Sequence, residues 1–284
     1  MISKASAQNG LIGLKFPLGF RAARLIDLNG RYIELRGRLS LPRNRRFVLE
    51  VADSDSSQLD LLSQIPASSI SKVVATNIDL NDENIEPLLR FKECEAIDLS
   101  GTDIGDSTLS KLREWRKLNK VTVPSTLITR RGLGDLLKCH SIGFLDISSN
   151  QLGAQPFESL RNSSSITYLD ASKCRLKDED IKFLEGLPKL NYLFLNYNRG
   201  LSDKCVSSLT TIRELVEIRL AESGITADGL KRLGSLGRLK LIVLRFSEPS
   251  LSKTVLRKCL PDRIRIADVT EFFDTPPDFF EPLR

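Results

Sequence analysis

The chain has few of the residues on which catalysis and metal binding most often rest. Among its 284 residues there are one histidine (His140), one tryptophan, one methionine and four tyrosines, and aromatics make up 6%. Its five cysteines (Cys94, Cys139, Cys174, Cys205, Cys259) are odd in number, widely spaced and form no CxxC pair. Neither a disulfide framework nor a zinc site is indicated, and a reducing, cytoplasmic location fits best. No run of 18 apolar residues occurs, so no segment is expected to span a membrane. Met1–Gly13 has one lysine, a patchy apolar stretch and no small-residue cleavage site, so no secretory signal is expected.

Catalytic signatures are missing as well. The sequence has no GxSxG, P-loop, HExxH or glycine fingerprint between a strand and a helix. Cys139 and His140 are adjacent, and neighbours on a loop or strand seldom point together, so they make no dyad. Asp98, Asp146 and Asp170 share one position in the repeat described below. A paired-carboxylate enzyme would also need a pocket and an acid of raised pKa, and the sequence offers neither. No catalytic residue, cofactor or metal is therefore expected.

What is present is a globular composition, 41% hydrophobic and 27% charged, which excludes collagen-like, mucin-like and wholly disordered chains. The net charge of +6 is unevenly spread. Residues 1–48 carry ten basic side chains against Asp27 and Glu34, which leaves the other 236 residues slightly acidic.

Self-similarity then dominates the reading. Val73, Ile97, Val121, Leu145, Leu169, Leu193, Ile218 and Ile242 recur at steps of 24 residues with a single step of 25. Two positions after each stands a second small or apolar residue, from Ala75 and Leu99 to Leu220 and Leu244. Three positions before each stands a third, from Ile70 and Cys94 to Leu215 and Leu239. The pattern extends weakly back to Leu49 and Val51 and forward to Ile264 and Ile266.

This pattern, LxxLxLxx(N/T/C/S)xL, resembles the leucine-rich repeat superfamily over about residues 47–267. The unit containing Thr102-Asp-Ile104-Gly-Asp106 is similar to the short intracellular or bacterial repeats, with ribonuclease-inhibitor-like and GALA-type repeats as relatives. The resemblance implies an α/β fold, a right-handed solenoid with a parallel concave sheet and short convex helices, and a role in binding protein. It also implies an organisation of 1–48 as a basic N-terminal cap, 49–267 as the solenoid and 268–284 as an aromatic, acidic tail or cap.

The residues account for such a fold. Alternating pairs such as Leu193 and Leu195 suit a short strand with one buried face. The column Ile78, Thr102, Thr126, Asn150, Cys174, Asn198 and Ser223 supplies, except at Ile78, small polar groups for backbone buried between repeats. Asp82, Asp106, Asp178 and Asp203 are N-cap candidates for short helices. Arg130 and Ala154 interrupt that column, so looser convex segments are expected there.

At the head of the chain, Asn29-Gly30 between Leu25–Leu28 and Arg31–Leu35 predicts a hairpin with a two-residue type I′ turn. Arg36, Arg38, Arg43, Arg45 and Arg46 follow, and read either as charge protecting a cap edge or as a patch for an anionic ligand or nucleic acid. At the other end, the four phenylalanines among acids and prolines read either as a short recognition motif for a partner or as a cap in which Phe272 and Phe273 plug the last repeat, Phe279 and Phe280 being the pair left free.

Strand residues flanking the leucine pair face solvent on the concave side. Phe144, Tyr168, Tyr192, Phe194 and Tyr197 fall there on three successive repeats, and large rigid aromatics mark interface centres. Asp146, Asp170, Asn196, Arg219 and Arg245 surround them. The 25-residue step, at Arg199-Gly200, falls beside this patch. The expectation is a non-enzymatic scaffold whose concave face binds a protein partner. Nucleic-acid or anion binding through the arginine-rich cap, and an adaptor or exported effector, stand as alternatives.

Overall fold

Short strands form wherever the leucine pair falls. The computed structural model describes residues 10–53, 55–138, 142–161, 163–246 and 251–272. Four strands precede the repeats: β1 (Leu11–Phe16), β2 (Ala23–Ile26), β3 (Tyr32–Glu34) and β4 (Gly37–Pro42). The repeats begin with β5 (Phe47–Val51), β6 (Ile70–Ala75), β7 (Ala96–Asp98), β8 (Lys120–Thr122) and β9 (Phe144–Asp146). They continue with β10 (Tyr168–Asp170), β11 (Tyr192–Phe194), β12 (Glu217–Arg219), β13 (Leu241–Leu244) and β14 (Arg265–Asp268).

From β5 to β14 every neighbouring pair is parallel and in sequence order. The register places Leu49, Val73, Ile97, Val121, Leu145, Leu169, Leu193, Ile218, Ile242 and Ile266 side by side. Nearly all of these are fully buried, and each full burial of such a side chain contributes roughly 1.5–3 kcal/mol. The weak outer repeats at Leu49 and Ile266 thus belong to the same ladder. β2 and β3 extend this sheet antiparallel beyond β5, and β1 pairs with β4 as a separate antiparallel ribbon.

The convex side carries short helices: α1 (Ser56–Leu59), α2 (Glu86–Leu89), α3 (Asp106–Leu112), α4 (Arg130–Leu136), α5 (Asp178–Ile181), α6 (Val206–Leu209), α7 (Ala227–Leu233) and α8 (Lys253–Cys259). The expected looseness at Arg130 is not found. The seven-residue α4 forms there because Thr129 takes the capping role, its hydroxyl accepting from the Arg131 amide at 3.2 Å. At Ala154 the segment does relax, to a single 3-10 turn at Glu158–Leu160.

Two polar ladders tie the repeats together. On the inner side, Asn150 Nδ2 donates to the carbonyls of Val123 and Ile147, and its Oδ1 accepts from the Thr126 amide. Asn198 repeats this with Ala171, Leu195, Cys174 and Leu176. Thr102, Thr126, Cys174 and Ser223 each donate to a loop carbonyl.

The outer ladder corrects the N-cap expectation. The aspartates do not cap their own helices; each carboxylate reaches the helix start of the next repeat. Asp106 accepts from the amide and hydroxyl of Thr129, Asp178 from those of Ser202, and Asp203 from those of Thr226. Asp82 likewise accepts from Gly105 and Thr108. Gly132 lies against Asp106 so closely that an added Cβ would stand 2.4 Å from the carboxylate.

The hairpin turn also differs from the expected type I′. Asp27 O accepts from the Gly30 amide at 3.0 Å, while the Asp27 carboxylate accepts from the amides of Asn29 and Arg31. Gly30 has φ +75° and Asn29 is not left-handed. The loop is therefore longer, with one left-handed residue, because Asp27 closes it from within.

Candidate functional site

The concave face is built from two side-chain columns that alternation along each strand turns away from the core. Lys72, Ala96, Lys120, Phe144, Tyr168, Tyr192 and Glu217 form one, and Asp98, Thr122, Asp146, Asp170, Phe194 and Arg219 the other. The strand ladder thus brings residues 24 or 25 positions apart into direct contact.

Those columns assemble into one stack. Lys120 Nζ lies 4.1 Å from the centroid of Phe144. Phe144 is parallel to Tyr168, with centroids 4.0 Å apart and planes 5° apart. Tyr168 meets Phe194 edge-on at 5.0 Å, and Tyr192 flanks it at 6.3 Å. The Arg219 guanidinium lies 3.9 Å from Phe194 and 4.6 Å from Phe272. Arg219 is held in turn by Glu217 at 2.6 Å. Stacked, edge-on and cation–π geometries are each favoured by the ring quadrupole. Tyr168 and Phe194 are buried, 4% and 2% exposed, while Phe144 and Tyr192 are half-buried.

The second column carries three acids. Asp98, Asp146 and Asp170 each accept from the amide two residues on, at Ser100, Ser148 and Ser172. They thereby close the exit of the strand. Asp146 and Asp170 stand on paired positions of β9 and β10. Burial, with Asp170's charge beside it, pushes the Asp146 carboxyl well above its ordinary range, and burial raises Asp170 as well. Burial also raises the Tyr168 hydroxyl. It lowers the ammonium pKa of Lys72 and of Lys120.

Of the remaining sequence-predicted residues, Asn196 is buried and its Oδ1 accepts from the Ala221 amide at 3.0 Å, so it serves the backbone. Tyr197 and Arg245 stand together at the C-terminal shoulder, where Arg245 Nη2 donates to the Tyr197 hydroxyl at 2.9 Å. Glu222 joins them by ion pairs to Arg245 and to Arg199 of the long repeat.

Sequence reasoning missed a backbone feature beneath this shoulder. Asn77, Gly101, Ser125, Ser149, Lys173, Tyr197 and Glu222 all have positive φ, one per repeat. Their chemistry has nothing in common, so only their spacing could have revealed the column. For a residue as bulky as tyrosine, φ +60° costs on the order of 1–3 kcal/mol. Phe272 was expected to plug the last repeat; it lies instead on the concave face, against Arg219. Phe273, Phe279, Phe280, Cys139 and His140 lie outside the described residues.

Burial pushes the thiols of Cys94, Cys174 and Cys205 up to about 12, so none is a thiolate at neutral pH. Among the described residues no three His, Cys, Asp or Glu side chains converge, and no helix is long and apolar enough to cross a membrane. In the basic cap, Arg46 is committed to Glu95 and to the carbonyls of Ile70 and Glu93. Arg36, Arg38, Arg43 and Arg45 are exposed.

No family model matches the sequence, and no curated protein matches it. Among solved structures, the fold is similar to the crystal structure of an internalin, inlF, from Listeria monocytogenes. The TM-score is 0.54 and the identity 19%, covering 80% of this chain and 59% of that one. The chain thus spans under two thirds of the internalin's length. What the two share is the α/β leucine-rich-repeat solenoid, with its long parallel sheet and short helices.

Proposed function

We propose that this solenoid is a non-enzymatic protein-binding module, and that its partner docks on the concave face at the aromatic stack. One observation carries the reading: a cation–aromatic stack running from Lys120 through Phe144, Tyr168 and Phe194 to Arg219 across five neighbouring strands. Rigid rings at the centre, rimmed by both signs of charge, are the composition of interface centres. Phe144 and Tyr192 supply contact area. Asp146 and Asp170, held close together, favour a partner that brings a lysine or arginine to them, since a cation removes the repulsion that burial intensifies. Tyr197 and Arg245 frame the C-terminal side.

The acid column suits this role better than hydrolysis, because each carboxylate already serves the strand exit. Nucleic-acid binding through the cap loses Arg46 to the fold. Repeats of the short intracellular or bacterial type and a cytoplasmic location belong to the same reading.

The test is affinity capture from nuclease-treated source lysate, with wild type beside Phe144→Ala/Tyr192→Ala. These two rings are chosen because Phe194 is buried. A protein retained by wild type and lost by the variant supports the reading. Equal recovery sinks it, and capture that requires intact nucleic acid moves the function to the basic cap.

A further inference from the structure

The turn that joins β1 to β2 carries an apolar side chain into solvent. Its base is pinned: the Phe20 amide donates to the Pro17 carbonyl at 3.1 Å, and the buried rings of Phe16 and Phe20 meet with centroids 4.9 Å apart. Leu18 and Gly19 therefore form the tip. Leu18 is 83% exposed, more than any other large apolar side chain among the described residues. Turn tips ordinarily take small or polar residues, and a leucine held in solvent there adds nothing to the fold.

Basic side chains surround that tip. Gly37 pairs with Phe16 at the end of the β1–β4 ribbon, and a Cβ added to it would stand 3.6 Å from Leu18 Cδ2. Arg36 and Arg38 flank Gly37 in the chain, and Lys15 lies directly opposite Arg38 across the ribbon. Arg21 follows Phe20 at the other foot of the turn, and all four basic residues are exposed. No ion pair among the described residues includes any of them, whereas Arg24 and Arg46 of the same cap are paired to Glu50 and Glu95. A single charge guards a strand edge; like charges directly opposite one another destabilise the ribbon. The Lys15–Arg38 pair is thus a strain that an anion outside the chain relieves.

We propose that the Leu18 turn is a peripheral membrane anchor: Leu18 enters the apolar boundary of an anionic lipid surface while Lys15, Arg21, Arg36 and Arg38 lie among its headgroups. Interfacial binding grows with buried apolar area and with attraction to anionic lipids, and this tip supplies both. A nucleic acid would engage the basic side chains and leave Leu18 in water, so the leucine is what selects lipid. None of these residues belongs to the concave columns, and the docking is independent of the protein-binding reading.

The test is co-sedimentation of the full chain with vesicles of three parts phosphatidylcholine to one of phosphatidylserine, beside vesicles of phosphatidylcholine alone, in about 0.1 M salt. Binding is expected to the mixed vesicles only, and to fall as salt is raised. Leu18→Ser is expected to weaken it at least tenfold through lost apolar burial. Arg36→Ala/Arg38→Ala is expected to weaken it about 25-fold, or about fivefold for each basic side chain. Leu127→Ser, which removes another exposed leucine from the loop before α4, is expected to leave binding unchanged; circular dichroism checks the folding of each variant. Insertion is read with Leu18→Trp and lipids brominated on their acyl chains. The single native tryptophan, Trp115, is fully buried, so these vesicles are expected to quench Leu18→Trp and to leave wild type unquenched. Failure to bind the mixed vesicles overturns the proposal, as does binding that Leu18→Ser leaves intact or a Leu18→Trp that escapes quenching. Binding of a single-stranded RNA that depends on Arg36 and Arg38, with vesicles ignored, overturns it in favour of nucleic acid.

Discussion

The rings of Phe144 and Tyr168, which the sequence separates by one whole repeat, lie parallel with centroids 4.0 Å apart. Tyr168 is closed off beneath its neighbours and Phe144 is half-buried. Tyr168→Ala is therefore expected to cost about 3 kcal/mol, in the range of large-to-small core changes, and Phe144→Ala about 1 kcal/mol. A double-mutant cycle in urea is expected to give a coupling of roughly 0.5–1.5 kcal/mol between them. Strict additivity would mean that the stack adds nothing beyond burial.

The carboxylate pair makes stability depend on pH. Asp146 is pushed up to about 7 from an ordinary 3.8, so the folded chain holds a proton that the unfolded chain has already released. Stability contributed by that proton is present at acid pH and is lost as pH rises through the folded value. Asp146→Asn removes that residue's share and leaves Asp170's, so its melting temperature is expected to fall less than that of wild type between pH 5 and pH 8. Parallel curves would refute the coupling.

Asn150 and Asn198 each satisfy carbonyls and an amide in two repeats. Replacing either by alanine strands several buried groups, at about 1–3 kcal/mol in total or more. Ser223→Ala, which frees one carbonyl, is expected to cost about 1 kcal/mol. Chemical denaturation of the three variants checks the order.

The arginine-rich cap divides in two. Arg46→Ala cuts contacts to Glu95, Ile70 and Glu93 and is expected to cost about 2 kcal/mol, as for a charge-assisted group with several acceptors. Charge reversal at exposed Arg36 or Arg45 is expected to change stability by under about 0.5 kcal/mol. Equal effects at all three would show that Arg46 is not a structural staple.

Legibility followed what each feature leaves in the sequence. The buried column from Leu49 to Ile266 was readable because apolar residues at fixed spacing have few other uses. The inner polar ladder was readable because small polar residues recurring at the same fixed spacing answer the need of backbone buried between repeats for partners. The outer ladder was seen as aspartates but assigned to the wrong helix, since spacing alone does not tell whether Asp106 turns to its own amides or to Thr129. The left-handed column was invisible because Ser149, Lys173, Tyr197 and Glu222 share only a backbone angle. The aromatic cluster was legible as a column; its order, and Arg219 joining Phe194 to Phe272, depended on contacts no spacing encodes. Asn196, read as facing a partner, proved to hold Ala221.

The central claim, that the concave face takes the partner, is tested most directly by photo-crosslinking. A benzoylphenylalanine is placed at position 192, on the face, or at position 116, exposed in the loop after α3, and each protein is irradiated in nuclease-treated source lysate. The account predicts a discrete protein adduct from position 192 and none from position 116. An adduct from position 116 alone, or equal adducts from both, would contradict it.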